Sequence, residues 1–364
     1  MFYECSKCKR RWEYPLPECP YCFGPLDKME AKTARVSAAV KVAIPTLFHP
    51  NVPYYVLALE DELGNMWGYK SEKEYKVGDD FTIEANNDPN AVAIWRVKCD
   101  IGEAVAKVLE LAGGINVGAS YKVVVLPTLA APTHGYFRDN TSPEFLAAVI
   151  EMLLARGVEA SEITVASQSF DEMPIGAVAQ KSGLLAACQK FGIMPLDLAG
   201  TEFTKSNPPR GESPQANLAK GGARPQGGQF EIASVILNAD LVINLAMEKM
   251  GQASATTNLF KVLKKENYLG QKYLSSDAEI SAGLEPILKN VLTIGEAENV
   301  QRSSKLTTFM GLVLAGRSAR NVDRVFNEAA ESFKMPEIIN DIEISNIPVA
   351  GRTIKEVQYQ AEIF

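Results

Sequence analysis

Three features predict an α+β multidomain chain: two C-x-x-C pairs ten residues apart at the front, a set of short turn-bounded β runs, and a long alternation of apolar strand and helix patterns. The expected order is a rubredoxin-like zinc ribbon over 1–30, a small OB-fold β-barrel over 31–100, a helical linker over 101–120, and a mostly parallel, doubly wound α/β domain over 121–364. At 364 residues the chain is too long for one ordinary core, and 46% hydrophobic with 22% charged residues describes a folded globular protein.

The ribbon rests on Cys5, Cys8, Cys19 and Cys22. Each C-x-x-C knuckle presents two sulfurs to one point, and four thiolates can close a tetrahedron around one Zn²⁺. A closed Cys₄ shell has no open position for substrate, so the ion is expected to be structural. An iron centre with the same ligands, a reduced metal-free quartet and a pair of disulfides stay chemically open. A module this small has almost no core, so the metal supplies most of its folding energy. Trp12 and Tyr14 are expected to cover the metal's apolar flank, and Lys7, Lys9, Arg10 and Arg11 form a basic cluster read as a solvated face or a phosphate patch.

Five short runs follow, Ala34 to Ile44, Tyr54 to Glu60, Gly64 to Tyr69, Phe81 to Ala85 and Ala91 to Val97, with turn signals at Gly64-Asn65 and Val77-Gly78-Asp79-Asp80. Their number and spacing suit a five-stranded Greek-key barrel. His49 falls in a barrel loop that a partner could touch. The order Cys5/Cys8/Cys19/Cys22, then Pro53-Tyr54-Tyr55-Val56, then Val77-Gly78-Asp79-Asp80 resembles the zinc-ribbon plus OB-fold family found beside thiolases, HMG-CoA synthases and related acyltransferases. The resemblance covers roughly the first hundred residues and implies a non-catalytic subunit that docks on a condensing enzyme and helps shape its acyl-CoA site. Members of that family usually stand alone as short chains, whereas this chain continues.

Ile101, Val105, Val108 and Leu109 mark an amphipathic helix ended by Gly113-Gly114. Beyond it, strands are expected at 121–126, 162–166, 240–245, 291–295 and 311–315, and helices at 142–156, 176–191, 230–237, 279–290 and 318–332. Continuously apolar strands alternating with helices indicate a parallel sheet covered on both faces. The polar stretch 200–228, with Pro208-Pro209 and two Gly-Gly pairs, reads as a mobile loop or a lid.

This part resembles a second, widespread family of unknown function sometimes joined to ferredoxin-like domains. The likeness is carried by Val123 to Pro127, Thr141-Ser142-Pro143-Glu144, Ala239 to Leu245, and Gly311 to Gly316 leading to Asp323. Where that family reads Lys-Pro-Asn and Lys-x-Lys-Thr-His, this chain has Leu126-Pro127-Thr128 and Met247-Glu248-Lys249-Met250-Gly251. The departures imply a retained fold with changed or lost chemistry.

Open α/β sheets bind ligands beyond the carboxyl ends of their strands. The residues so placed are Thr128, Thr133, His134, Ser167 to Ser169, Glu248, Lys249, Glu296 and Arg317. Lys249, Arg317 and Ser167 would hold an acidic small molecule, with His134 or Lys249 available for acid–base work; most of these are equally ordinary loop residues. No G-x-G-x-x-G follows the first strand and no G-x-x-x-x-G-K-[ST] occurs, so classical dinucleotide and P-loop sites are not supported. Ser167-Gln168-Ser169 lacks the glycines of a nucleophile elbow, and Cys188 among Leu184, Leu185, Ala186 and Ala187 reads as a buried structural thiol.

A formal net charge of −7 argues against nucleic acid as partner. No apolar run approaches the ~20 residues that span a bilayer, and free thiols suit the cytoplasm. The leading expectation is a zinc-containing accessory subunit in a hetero-oligomer with a thiolase-like or acyltransferase protein, with acyl-CoA as a further contact. The alternatives are an α/β enzyme acting on a small acidic or CoA-linked substrate, and nucleic-acid binding by ribbon and barrel.

Overall fold

The computed structural model describes residues 2–358 apart from 15, 30, 32, 47–51, 83–84, 172, 209–228, 289, 304–305 and 333. The chain divides into a smaller unit (Met1–Glu84, Lys98–Asp100, Arg352–Val357) and a larger one (Ala85–Val97, Ile101–Gly351, Gln358–Phe364).

The smaller unit begins with β1 (Phe2–Cys5), β2 (Arg11–Trp12) and β3 (Leu26–Met29), an antiparallel sheet with β1 in the middle. Next come β4 (Ala34–Val42), β5 (Tyr54–Asp61), β6 (Met66–Ser71) and β7 (Asp80–Phe81), hydrogen-bonded in the order β6-β5-β4-β7. Alternation along these strands puts Val36, Leu57, Leu59, Tyr69 and Phe81 into one small core, as a period of two demands. The β5–β6 turn is fixed by Asp61, whose carboxylate accepts from the amides of Leu63 and Asn65 and from the Asn65 side chain.

The expected fifth barrel strand is not in this sheet. Residues Val92–Arg96 form β8, which pairs with two strands of the larger unit, so among the described residues four strands stand where five were expected. The physical reason lies in its burial: Val92, Ala93 and Ile94 are fully buried in a row, the pattern of a strand covered on both faces and not of a half-exposed barrel strand.

In the larger unit β8 leads into α1 (Ile101–Leu111), which packs on β8 and on later strands through Val105, Val108, Leu109 and Leu111. The segment expected to be a linker is therefore core. Then follow β9 (Val123–Pro127), α2 (Pro143–Ala155), β10 (Ile163–Ser167), α3 (Ile175–Ser182), α4 (Leu184–Gln189), β11 (Leu196–Asp197), β12 (Phe203–Ser206), β13 (Phe230–Ala233), α5 (Ser234–Leu237), β14 (Leu241–Lys249), α6 (Ser254–Leu259), α7 (Lys265–Lys272), α8 (Asp277–Leu284), β15 (Val291–Ser303), β16 (Leu306–Gly316), α9 (Ala319–Ala329) and β17 (Val349–Gly351). The last helix among the described residues, α10 (Ile354–Val357), belongs to the smaller unit, where Arg352 lies over the Tyr69 ring.

The eight-stranded sheet runs β11-β10-β9-β14-β15-β16-β8-β17. Only β16 is antiparallel to its neighbours, so the sheet is mixed and mostly parallel. Helices α1, α2 and α4 pack in series, and α6 packs on α9. Two readings change. The expected helix at 230–237 is strand β13 paired with β12, followed by the single turn α5, and the expected helix at 176–191 is broken in two at Gly183, whose φ is +86°. The polar stretch after β12 falls largely on 209–228, and His49 on 47–51, outside the described residues.

Candidate functional site

The four cysteines converge. Their sulfurs all lie within 4.8 Å of one another, with Cys5–Cys22 at 3.4 Å and Cys8–Cys19 at 3.6 Å. A tetrahedral ion with metal–sulfur bonds of ~2.3 Å requires sulfurs about 3.8 Å apart, so the set fits a metal. The two knuckles repeat one geometry. In each, the residue after the second cysteine is left-handed (Lys9 φ +59°, Phe23 φ +53°) and its amide donates to the carbonyl of the first cysteine at 2.9 Å. Gly24 lets the backbone pass: a Cβ there would sit 2.9 Å from Lys7 Cβ and 3.1 Å from Cys5 Sγ. Burial raises the Cys19 thiol, but the amides of Tyr21 and Cys22 outweigh it and pull the group down to about 6. Trp12 stacks on Tyr21, with Arg10 on that ring, and Tyr14 is exposed.

A second convergence lies in the larger unit, where the strand order reverses. From β9 the chain moves outward to β10 and β11, then returns to the other side of β9 as β14, which makes the β9/β14 carboxyl ends a switch point. The ends of β9 and β14 are latched there. The Thr128 amide reaches Leu245 O and Thr141 Oγ1, and Thr128 Oγ1 accepts from the Met247 amide. Asn140 staples the loop after β9 by accepting from the Ala130 amide at 2.7 Å and donating to Ala131 O at 2.8 Å. Next to that staple, Asp139 takes a hydrogen bond from Thr133 Oγ1 at 2.9 Å and pairs with Lys249 Nζ at 3.4 Å.

Lys261 lies in the turn after α6. Its Nζ donates to Leu129 O at 2.7 Å, and Gln168 holds the turn by donating to the carbonyls of Lys261 and Leu263. Burial, then the charge of Lys249, pushes the Lys261 amine down to about 7 against the pull of Asp171. A half-neutral lysine beside a charged one is a standard means of making an amine a base at neutral pH.

Three buried carboxyls surround this region. Glu248, next to Lys249 on β14, is fully buried, and neither oxygen meets an N–H or O–H donor. Burial, then the charge of Asp323, raises it well above the ordinary range, so it keeps a proton shared with Asp323. Asp323 on α9 accepts from the amides of Ala255 and Thr256 at 2.8 Å each and from Thr256 Oγ1 at 2.5 Å, and burial lifts it to about 7. Glu296 on β15 accepts from the Ser142 amide at 2.8 Å and lies 3.6 Å from Arg138, and burial carries it up to about 7 despite both.

The other expected residues sit apart. Arg317 cannot share the crevice, because β16 runs antiparallel and delivers its last residues to the opposite edge of the sheet; Gly316 pairs with Thr293 at the start of β15. His134 is exposed and caps a short turn, its Nδ1 accepting from the Tyr136 amide. The Ser167 hydroxyl is buried without a partner. Cys188 is a buried thiol raised to about 11 by burial, as foreseen. Lys261 and Asp139 escaped sequence reasoning, since neither follows a strand directly and neither belongs to a motif.

Among the described residues no helix is long and apolar enough to cross a membrane. No curated protein matches the chain. Among solved structures, an aldolase titled "Ltp2-ChsH2(DUF35) aldolase" aligns at 23% identity over 23% of this chain and 70% of its own, with a TM-score of 0.19. The lactate racemase apoprotein from Thermoanaerobacterium thermosaccharolyticum aligns at 12% identity over 71% of this chain, with a TM-score of 0.40, and the alignment spans 61% of the racemase, less than two thirds of its length. The stretch that carries β9 through β14, with Lys249 and Lys261, is similar to a described family: residues 123–265 match the domain of unknown function DUF362.

Proposed function

We propose that the larger unit is an enzyme performing acid–base chemistry on a small acidic molecule held between the carboxyl ends of β9 and β14. The observation that supports it most is the Lys249–Asp139 pair where the strand order reverses, together with a buried Lys261 amine held on Leu129 O and lowered to about 7 by burial and the charge of Lys249. Lys249 offers the substrate's acid group a cation that Asp139 holds in place. Lys261, neutral in part at pH 7, accepts a proton from the substrate carbon or hydroxyl. Purified full-length protein in D₂O, given a panel of short hydroxy, oxo and CoA-linked acids, should introduce deuterium beside the carboxyl group. The rate should rise through pH 7 and fall at least a hundredfold in Lys261→Met. Exchange that is the same in wild type and Lys261→Met sinks the assignment.

The Cys5, Cys8, Cys19, Cys22 set is read as a structural zinc site of rubredoxin type, in a protein of the reducing cytoplasm. On this reading the larger unit is a doubly wound sheet and the β6-β5-β4-β7 sheet an open variant of the OB type.

A second reading, the accessory subunit in a hetero-oligomer with a thiolase-like or acyltransferase protein, is favoured by one observation. Val40 and Val56 face each other across β4 and β5 yet are 61% and 43% exposed. Paired β-branched residues on an open sheet face suit a protein partner better than water. Val56→Lys should abolish co-elution with a thiolase-like polypeptide, and a chain that never co-elutes with one removes this reading while leaving the first intact.

A further inference from the structure

A cavity of about 380 Å³ opens beside the loop that carries Asp139, lined by His134, Gly135, Tyr136, Arg138, Ser142, Pro143, Glu144 and the stretch from Gln180 to Gly183. Its volume suits a small molecule, at the lower end of the ~300–1,000 Å³ usual for ligand sites. Three basic side chains, His134, Arg138 and Lys181, outnumber Glu144 among its walls.

Each of the three is placed for a different reason. Arg138 is held in the left-handed region at φ +53°, a conformation unfavourable for a non-glycine residue, and is paired with Glu296 at 3.6 Å. Lys181 stands exposed in the last turn of α3 with no ion-pair partner among the described residues. His134 uses Nδ1 to cap its own turn, which leaves Nε2 for a ligand. The lining also includes the first turn of the thirteen-residue α2, whose Ser142 hydroxyl caps the Phe145 amide. That helix end adds a favourable field for negative charge.

Glu296 lies outside the lining but holds two of its residues: Oε1 pairs with Arg138 at 3.6 Å and Oε2 takes the Ser142 amide. The carboxyl thus anchors Arg138 and Ser142, and the Arg138 N–H groups not facing it remain for a ligand in the cavity.

We infer that this cavity is a binding site for the oxyanion group of a small molecule, a phosphate or a carboxylate, held by Arg138 and Lys181 against the start of α2. The site is independent of the acid–base reading of the Lys249–Lys261 crevice, so either can fail alone.

The test is calorimetric titration of the full chain, at pH 7 and low ionic strength, with inorganic phosphate and separately with succinate. One saturable site is expected for at least one probe, weakened at least fivefold in Lys181→Gln and undetectable in Arg138→Gln. Phosphate alone binding marks a phosphorylated ligand; succinate alone marks a carboxylate; both outcomes support the site. Lys181 is exposed, so its substitution does not threaten folding and decides the matter if Arg138→Gln proves unstable. No saturable binding of either probe, or binding indifferent to Lys181→Gln, overturns the inference.

Discussion

Gly295 matters because of what lies against it. A Cβ at that position would sit 2.6 Å from Glu248 Oε1 and 3.1 Å from Glu248 Cγ. Gly295→Ala should therefore destabilise the fold by ~1–3 kcal/mol, read as a lowered urea midpoint, since a packed interior has nowhere to move that carboxyl. Glu248 also sets a pH dependence. Its carboxyl is raised above the ordinary 4.5, and Asp323 rises from 3.8 to about 7, so the folded state keeps protons that the unfolded chain releases. Stability contributed by this pair is full below pH ~4 and lost as the pH climbs toward 7. Glu248→Gln removes the shared proton while keeping shape and a donor. The variant should lose less stability than wild type between pH 5 and 7.5, and two parallel urea-midpoint curves would refute the proton-sharing pair. Lys249, Glu248 and Glu296 were singled out as residues just beyond strands, but β14 runs on to Lys249 and β15 to Ser303, so all three lie within strands. Asp323 was visible only as part of a family likeness and Lys261 not at all, because Thr256 and Leu129, which they bond, lie 67 and 132 residues away in the chain.

At the scale of elements, the start of α2 rests on local chemistry that the sequence displays, whereas the α3–α4 break at Gly183 was not foreseen. Ser142 caps α2 with Pro143 behind it, as Ser-Pro-Glu foretells, and Ser142→Ala should cost ~1 kcal/mol in thermal unfolding. Gly183 ends α3 at φ +86° and begins α4, and a Cβ there would come within 3.1 Å of Pro143 Cγ. Gly183→Ala should lower the melting temperature by several degrees; an unchanged value would mean that the two helices can merge. The β12–β13 pairing was missed because Phe230-Glu231-Ile232-Ala233 fits either period over so short a run, and only a partner strand decides it.

At the scale of the whole molecule, the metal prediction separates the two units by their sources of stability. Protein purified without chelator should carry one ion per chain by elemental analysis, and Cys19→Ser should lose it. The far-UV signature of the larger unit should persist, because that unit holds its own core of buried strands and helices. A chain containing neither zinc nor iron would end the reading of the quartet. The sequence by itself determined the convergence of the four thiols, the strand–helix alternation and the cap of α2, since these depend on spacing within a few turns of chain. Only the tertiary structure decided that residues 92–96 leave the small sheet for the large one, and that an antiparallel β16 carries Arg317 away from Lys249. The same holds for Lys261, which is held on Leu129 O and feels the charge of Lys249. Burial on both faces and strand direction are properties of neighbours, and a strand's neighbours are chosen across hundreds of residues by packing that no local pattern encodes.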